Sequence, residues 1–191
     1  TLPYSITAIE DEAFDYAKSI EKLIIPENVS EIGSKAFANC PFSNFKLSED
    51  NPYFESVDGV LYTEDMTTLV AYPMLKSDEI YDIPDTVTTI HGGAFYCSEY
   101  VLYVDIPESV TRIEESAFES SSITSAVISE SVEYLGGHAF AWCDILSLTL
   151  YPVEEMEIMY TYNGPFYGCS DLEHCTYIIP DGTTEFNGVP Y

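Results

Sequence analysis

Three histidines, five cysteines and several adjacent acids are the side chains of this sequence that could support chemistry. None of His91, His138 and His174 lies at a metal-ligand spacing from a cysteine pair, and no GxSxG, HExxH or P-loop pattern occurs. The neighbours His174 and Cys175 do not by their adjacency form a nucleophile and base, which need facing geometry. We therefore predict no catalytic residues, no metal site and no cofactor. His91 and His138 are predicted to be solvent-exposed.

The cysteines recur at one position relative to a phenylalanine, as structural residues do. Four of the five follow a phenylalanine by two or three residues, and an odd number cannot be fully paired within one chain. This pattern favours small buried hydrophobic residues over redox or zinc chemistry. The set is Cys40, Cys97, Cys143, Cys169 and Cys175.

Acidic residues dominate the charge of the chain. There are 33 acids and 6 bases, which gives a net charge of −27. This balance excludes nucleic acid and anionic lipid as partners, since both need Lys and Arg. It predicts a solvated surface, with a site for cations or basic partners as the alternative. Adjacent acids such as Glu64-Asp65 and Asp78-Glu79 lack the spaced loop of a calcium site and are interpreted as solvated pairs.

No apolar run of about 18 residues is present, so no membrane insertion is predicted. The chain begins at Thr1 without a signal peptide, which we interpret as a fragment or a processed product.

A repeat with a period of about 23 residues organises most of the sequence. Ile-Pro recurs, an apolar pattern precedes it, and Val-x-x-Ile and then Ala-Phe follow. The pattern before Ile-Pro predicts a short strand with one buried face, and the stretch that ends at Ala-Phe predicts a helical turn. One unit is too small to bury its apolar side, so the units must stack, with the phenylalanine between layers. The Ala-Phe positions are Phe14, Phe37, Phe95, Phe118 and Phe140, with Pro165-Phe166 as an irregular sixth.

The pattern IPxSVTxIxxxAFxxC, nearly complete from Ile106 to Ser121, resembles the BspA-type (Treponema-type) leucine-rich repeats of bacterial surface and secreted proteins. Ser129 replaces the proline of one unit, and Ser120-Ser121 stand where another unit has cysteine. The resemblance implies a curved solenoid with a parallel sheet on its concave face. It also implies a role in adhesion or protein binding, and it brings no catalytic residues.

An insertion of about 35 residues, 48–82, separates two of the units. Two apolar runs, 57–62 and 68–72, flank a polar segment and predict a β-hairpin. The hairpin either carries function or extends a sheet edge. Residues 180–191 open a unit without completing it, and are interpreted as an incomplete repeat or a cap.

The outward positions of the predicted concave strands are the candidate binding residues. Tyrosine offers a large contact area at low entropic cost, and two acids flank Tyr103 in this reading. An exposed aromatic loop at 160–162 is a second candidate. The predicted partner-binding set is Tyr103, Asp105, Asp82, Lys46, Lys22 and Thr149.

The sequence thus predicts one domain, 1–191. Its fold class is an α/β solenoid, a right-handed leucine-rich-repeat-like array of about six units with short parallel strands and a hairpin insertion. The predicted function is a non-enzymatic binding or adhesion module, extracellular or on a bacterial surface, that recognises a protein or glycan. The alternative is a structural spacer that carries another module of a longer protein.

Overall fold

The structure is a computed structural model that describes residues 2–20, 22–151 and 164–169, and the backbone of strands at 157–158, 174–177, 185–186 and 189–190. These residues form a β-solenoid of stacked turns. No helix occurs in this part of the chain, so the α/β label is wrong.

Each unit contributes a first strand just before its Ile-Pro position. In these strands buried residues such as Val104 and Leu148 alternate with outward ones, which gives the sheet one buried face. The strands β8, β10, β12, β14 and β16 form one parallel sheet in that order, and β2 and β4 form a separate parallel pair. The first strands are β2 (Ile24–Ile25), β4 (Lys46–Leu47), β8 (Ile80–Asp82), β10 (Tyr103–Asp105), β12 (Ser125–Ile128), β14 (Ser147–Leu150) and β16 (His174–Tyr177).

A second short strand follows in each unit and ends at the isoleucine or leucine of Val-x-x-Ile. These strands are parallel and in register, so that Arg112 lies beside Thr89 on one side and Tyr134 on the other. The second strands are β1 (Ala8–Ile9), β3 (Glu31–Ile32), β9 (Thr89–Ile90), β11 (Arg112–Ile113), β13 (Tyr134–Leu135) and β15 (Glu157–Ile158). A pair of antiparallel strands, β17 (Glu185–Phe186) and β18 (Val189–Pro190), lies near the C-terminus.

The Ala-Phe stretch is a turn and not the predicted helical turn. Residues with left-handed φ flank it on both sides, for example Ser116 at 58° and Ser120 at 59°. That backbone directs the N–H of the phenylalanine to the next layer instead of to its own chain four residues earlier. Phe118 N–H thus binds Ala139 O at 2.7 Å. A helix would require right-handed residues throughout.

The phenylalanines stack into a column through the layers. The ring of Phe118 lies nearly parallel to that of Phe95 at 4.8 Å and to that of Phe140 at 4.7 Å. Phe95 and Phe118 are fully buried. The predicted role of the Ala-Phe phenylalanine, between layers, is confirmed for this part of the array.

The insertion forms three antiparallel strands, β5 (Phe54–Val57), β6 (Val60–Thr63) and β7 (Thr68–Ala71). The predicted hairpin of 57–62 with 68–72 is present as β6 and β7. Its first run is divided, however, by a turn at Asp58 and Gly59, whose φ values are 49° and 82°. Two residues with positive φ are typical of a type I′ hairpin turn. A Cβ on Gly59 would lie 2.7 Å from the Cβ of Asn44, so glycine is required there.

The insertion divides the hydrophobic core into two blocks. On β6, Leu61 packs on one side while Val60 and Tyr62 pack on the other, and all three are fully buried. The N-terminal block contains Ile9, Leu23, Ile25, Val29, Ala36, Phe37, Cys40, Phe42, Phe45, Phe54, Leu61, Val70 and Ala71. The main block runs from Val60, Tyr62, Leu69 and Tyr72 through the later units to Leu150.

Tyr72 takes over the place of a phenylalanine where the two blocks meet. Its ring stacks on Phe95 at 4.8 Å, and its N–H binds Ala94 O at 2.7 Å, the contact that Phe37 would make in an uninterrupted ladder. The insertion therefore acts as a shared wall of the core. Because β7 also pairs with β9, it extends the second-strand sheet.

Cysteine has a hydrogen-bonding role in this array that its burial alone does not explain. Cys143 Sγ donates to Phe118 O at 2.9 Å, Cys40 Sγ to Phe14 O at 3.1 Å, and Cys169 Sγ to Phe140 O at 3.0 Å. Burial raises the pKa of the Cys143 thiol to about 12, so this group is not a nucleophile at neutral pH. Cys40 and Cys143 are buried as predicted, whereas Cys97 and Cys169 are half-buried.

Replacing Cys143 by alanine should lower the free energy of unfolding by about 0.5–1.5 kcal/mol, because the Phe118 carbonyl loses the thiol donor but keeps the N–H of Ser121 at 3.1 Å. Urea denaturation of C143A and wild type measures the difference. The matched control is C97A, which removes a half-buried thiol and should lose less stability. Cys97 lies on the side of the solenoid formed by the Ala-Phe turns, such as 92–97, 115–120 and 137–142, here named the turn edge. Equal stability of C143A and wild type would show that the thiol bond is energetically unimportant.

Candidate binding face

The outward side of the larger first-strand sheet is the candidate site, here named the first-strand face. Its residues are Ile80, Asp82, Tyr103, Asp105, Ser125, Val127, Ser147 and Thr149. In-register pairing orders them in two rows, because Ile80, Tyr103, Ser125 and Ser147 are successive partners, as are Asp82 with Asp105 and Val127 with Thr149. Neighbouring strands lie about 4.8 Å apart, so a partner can contact several strands at once.

Two carboxylates stand side by side on this face. Asp82 pairs in register with Asp105, and both are exposed. All six bases of the chain lie among the described residues, and none is on β8, β10, β12 or β14. Within the described part of the chain, neither carboxylate forms an ion pair. Like charges on directly opposed residues disfavour the sheet, so a basic group from a partner would stabilise this pair.

Exposed apolar side chains lie on the same face or next to its strands. Ile80 is 65% exposed and Val127 is 42% exposed. Leu102 and Leu146, each just before a strand of the sheet, are also largely exposed. Exposed apolar patches of this kind are typical of interaction sites.

The predicted site residues do not all share one sheet. Tyr103, Asp105, Asp82 and Thr149 lie on the first-strand face. Lys46 lies on β4, which pairs only with β2 among the described strands, and Lys22 is exposed before β2. The six residues therefore form two groups, one acidic and one basic.

Sequence reasoning missed three of the apolar residues on or beside this face, Ile80, Leu102 and Leu146. Ile80 was assigned to the insertion, although the alternation back from Asp82 indicates that its side chain points outward. Leu102 and Leu146 lie outside the strands and carried no periodic signal. The predicted aromatic loop at 160–162 falls outside the described residues.

The charged side chains around β11, in the second-strand sheet, pair with one another. The Arg112 guanidinium lies 3.7 Å from the centroid of the Tyr134 ring, and its Nε donates to Glu114 at 3.2 Å. Glu114 also binds His91, whose side chain is 22% exposed, so the prediction that His91 is a freely exposed residue is wrong. This contrast favours the first-strand face as the surface with unmet interactions.

Other chemistry has little support in the described residues. No group of three or more potential metal-ligating side chains comes together there. Asp65 accepts hydrogen bonds from Thr63 and Thr67, and Asp78 pairs with Lys76 at 2.8 Å. These acids thus have local structural partners. In the same part of the chain, no helix is long and apolar enough to cross a membrane.

The repeat identifies the family. The sequence pattern of the BspA type leucine rich repeat region matches residues 1–57 and 76–188 in six copies. The chain belongs to this family. The match leaves out 58–75, which contains β6 and β7. No curated protein matches the chain.

Solved structures of bacterial leucine-rich repeat proteins share the fold. One from Eubacterium ventriosum is 24% identical, with a TM-score of 0.77 over 90% of this chain and 45% of that protein. A leucine rich cell surface protein from Faecalibacterium prausnitzii is 26% identical, with a TM-score of 0.67 over 95% of this chain and 54% of the other. The pneumococcal vaccine antigen PcpA is 26% identical, with a TM-score of 0.62 over 76% of this chain and 42% of the antigen. The chain thus spans about half the length of these proteins.

Proposed function

We propose that this chain is a non-enzymatic binding module of a bacterial surface or secreted protein, and that it recognises a protein ligand through the first-strand face. The observation that carries the proposal is the unpaired Asp82–Asp105 couple within an exposed apolar patch. A ligand with a Lys or Arg beside an apolar side chain would complement both features. A surface location is supported by the similarity to the Faecalibacterium protein, which is a leucine rich cell surface protein.

The partner class follows from charge. A net charge of −27 attracts cationic ligands at long range, while the apolar residues of the face supply contact area. A neutral glycan would use Tyr103 and the hydroxyl groups but would leave the two carboxylates without a counter-charge. The expected ligand is therefore a basic protein segment and not a glycan.

A double variant, Tyr103→Ala with Asp105→Asn, tests this assignment. A phage-displayed random peptide library selected on wild-type protein should yield peptides with a basic residue next to apolar ones. The double variant should bind these peptides at least about tenfold more weakly, which corresponds to about 1.4 kcal/mol. Isothermal titration calorimetry measures this loss of affinity. Repeating it at low and high salt measures how far salt screens the attraction between the carboxylates and the basic peptide.

The matched control carries the same replacements at the turn edge, Tyr16→Ala with Asp15→Asn. Tyr16 is 63% exposed and lies in the N-terminal units, away from the first-strand face. The control should bind like wild type. Equal binding by wild type and the Tyr103 variant would contradict the chosen site. If the protein bound to a glycan array but to no peptide, the ligand would be a glycan and not a basic protein segment. Binding to neither would favour the function of a structural spacer.

A further inference from the structure

The insertion removes one hydrogen bond from the ladder of second strands, and His91 replaces it. In regular layers, the residue after each second strand donates its N–H to the preceding layer, as Glu114 does to Ile90 O at 3.0 Å and Gly136 to Ile113 O at 2.8 Å. At the insertion, the His91 N–H binds Leu69 O of β7 at 3.0 Å instead. The Ile32 carbonyl thus loses its backbone partner, and His91 Nε2 lies 3.1 Å from it.

The other ring nitrogen of His91 is also held by an acceptor. Nδ1 lies 2.9 Å from Glu114 Oε2. The same carboxylate accepts the Gly92 N–H at 3.0 Å and Arg112 Nε at 3.2 Å, and the bond from His91 is the main cause that lowers the pKa of Glu114 to about 2. Neutral imidazole has one N–H, whereas imidazolium has two. Only the protonated ring can donate both bonds.

We propose that the imidazolium of His91 is a proton-dependent clamp between the two blocks of the array, joining Ile32 of the N-terminal block to Glu114 of the main block. The clamp holds together the two parts of the molecule that carry Lys46 and the first-strand face, respectively. Deprotonation of the ring breaks one of its two bonds: either the Ile32 carbonyl loses the His91 N–H, or the Glu114 carboxylate keeps only the Gly92 and Arg112 donors.

The charges around the ring set the direction of the pH dependence. Burial disfavours the charged ring, but the hydrogen bond and charge of Glu114 and the backbone of Ile32 and Gly33 outweigh it and raise the pKa of His91. The flanking elements also bring Asp11, whose carboxylate accepts the Ser34 N–H, and Arg112, which binds Glu114.

A raised pKa in the folded state stabilises folding below the unfolded value of about 6.5 and loses this effect as the pH rises through the folded value. The Glu114 contribution is complete above its unfolded value of 4.5 and is lost only as the pH falls towards 2. The clamp is therefore closed in mildly acidic solution and opens on the alkaline side.

The test compares wild type with His91→Gln, whose amide can donate N–H bonds but cannot take up a proton in this pH range. Urea denaturation is followed at pH 6 and pH 9. The wild-type midpoint should shift to lower urea at pH 9 by more than the midpoint of H91Q does. His138→Gln is the matched control and should behave as wild type, because it retains His91. Equal pH shifts in wild type and H91Q would overturn the proposal.

Nitrogen-15 NMR of the wild-type ring gives an independent reading that does not depend on a variant. Both ring nitrogens of His91 should still carry protons at pH 6.5, the ordinary histidine pKa, and one of these protons should be lost only at a higher pH. Titration of this ring below 6.5, or a single protonated nitrogen at pH 6, would overturn the clamp even if H91Q failed to fold.

Discussion

Replacement of Phe118 by alanine is expected to lower the free energy of unfolding by about 3–5 kcal/mol, the range for a buried aromatic side chain. The ring is fully buried and stacks on both neighbours in the column, Phe95 at 4.8 Å and Phe140 at 4.7 Å. Its truncation leaves a cavity in the middle of the main block, at a site that solvent does not reach. Urea denaturation followed by circular dichroism measures the loss.

The matched control is Phe14→Ala, at the first Ala-Phe position. Phe14 is only partly buried and has one stacked neighbour, Phe37, at 5.9 Å. It should lose clearly less stability than F118A. Because units of an array contact only their neighbours, F118A should also weaken amide protection most in the adjacent units. A loss below about 1 kcal/mol for F118A would contradict the column as the main source of stability.

Truncation on either face of the insertion should destabilise a different block. Leu61 and Leu69 are both fully buried, but Leu61 packs in the N-terminal block and Leu69 in the main block. L61A and L69A should each lose about 2–5 kcal/mol. Hydrogen exchange should locate the first loss around Phe37 and the second around Phe95.

Val57→Ala is the control for this pair of variants, because Val57 belongs to the same insertion but is 38% exposed. It should change stability by less than about 0.5 kcal/mol. If L61A and L69A were as mild as V57A, the insertion would be a surface hairpin and not a wall of the core.

The repeat and the first strands could be predicted because their residues recur in register. Ile106 and Val110 have counterparts at the same positions in other units, and the buried alternation around Val104 is long enough to indicate a strand. The second strands escaped prediction because most span two residues, as at Thr89–Ile90, and two residues show no alternation.

The turn at Ala-Phe was misjudged for a different reason. The small residues beside Ala-Phe are compatible with several turn conformations. Lys35 and His138, which also adopt left-handed φ, give no signal for it. The backbone there is fixed by hydrogen bonds between layers, which a single unit does not display. In contrast, the Asp58-Gly59 turn had a strong local signal that the apolar run around it obscured.

The candidate site was predicted only in part. Tyr103 and Asp105 follow from alternation within one strand, but the pairing of Asp105 with Asp82 depends on register between units. The role of His91 depends on Ile32, which lies 59 residues away in sequence and meets it only because the insertion displaces a backbone bond. Such pairings arise in the folded array and leave no local pattern.

Hydrogen–deuterium exchange of the wild-type protein, with and without a peptide selected on it, tests the binding proposal most directly. The account predicts slower exchange in β8, β10 and β12, which contain Asp82, Tyr103, Asp105 and Val127, and little change at the turn edge around Trp142. Protection confined to that turn edge or to the second-strand sheet would contradict the first-strand face as the binding surface.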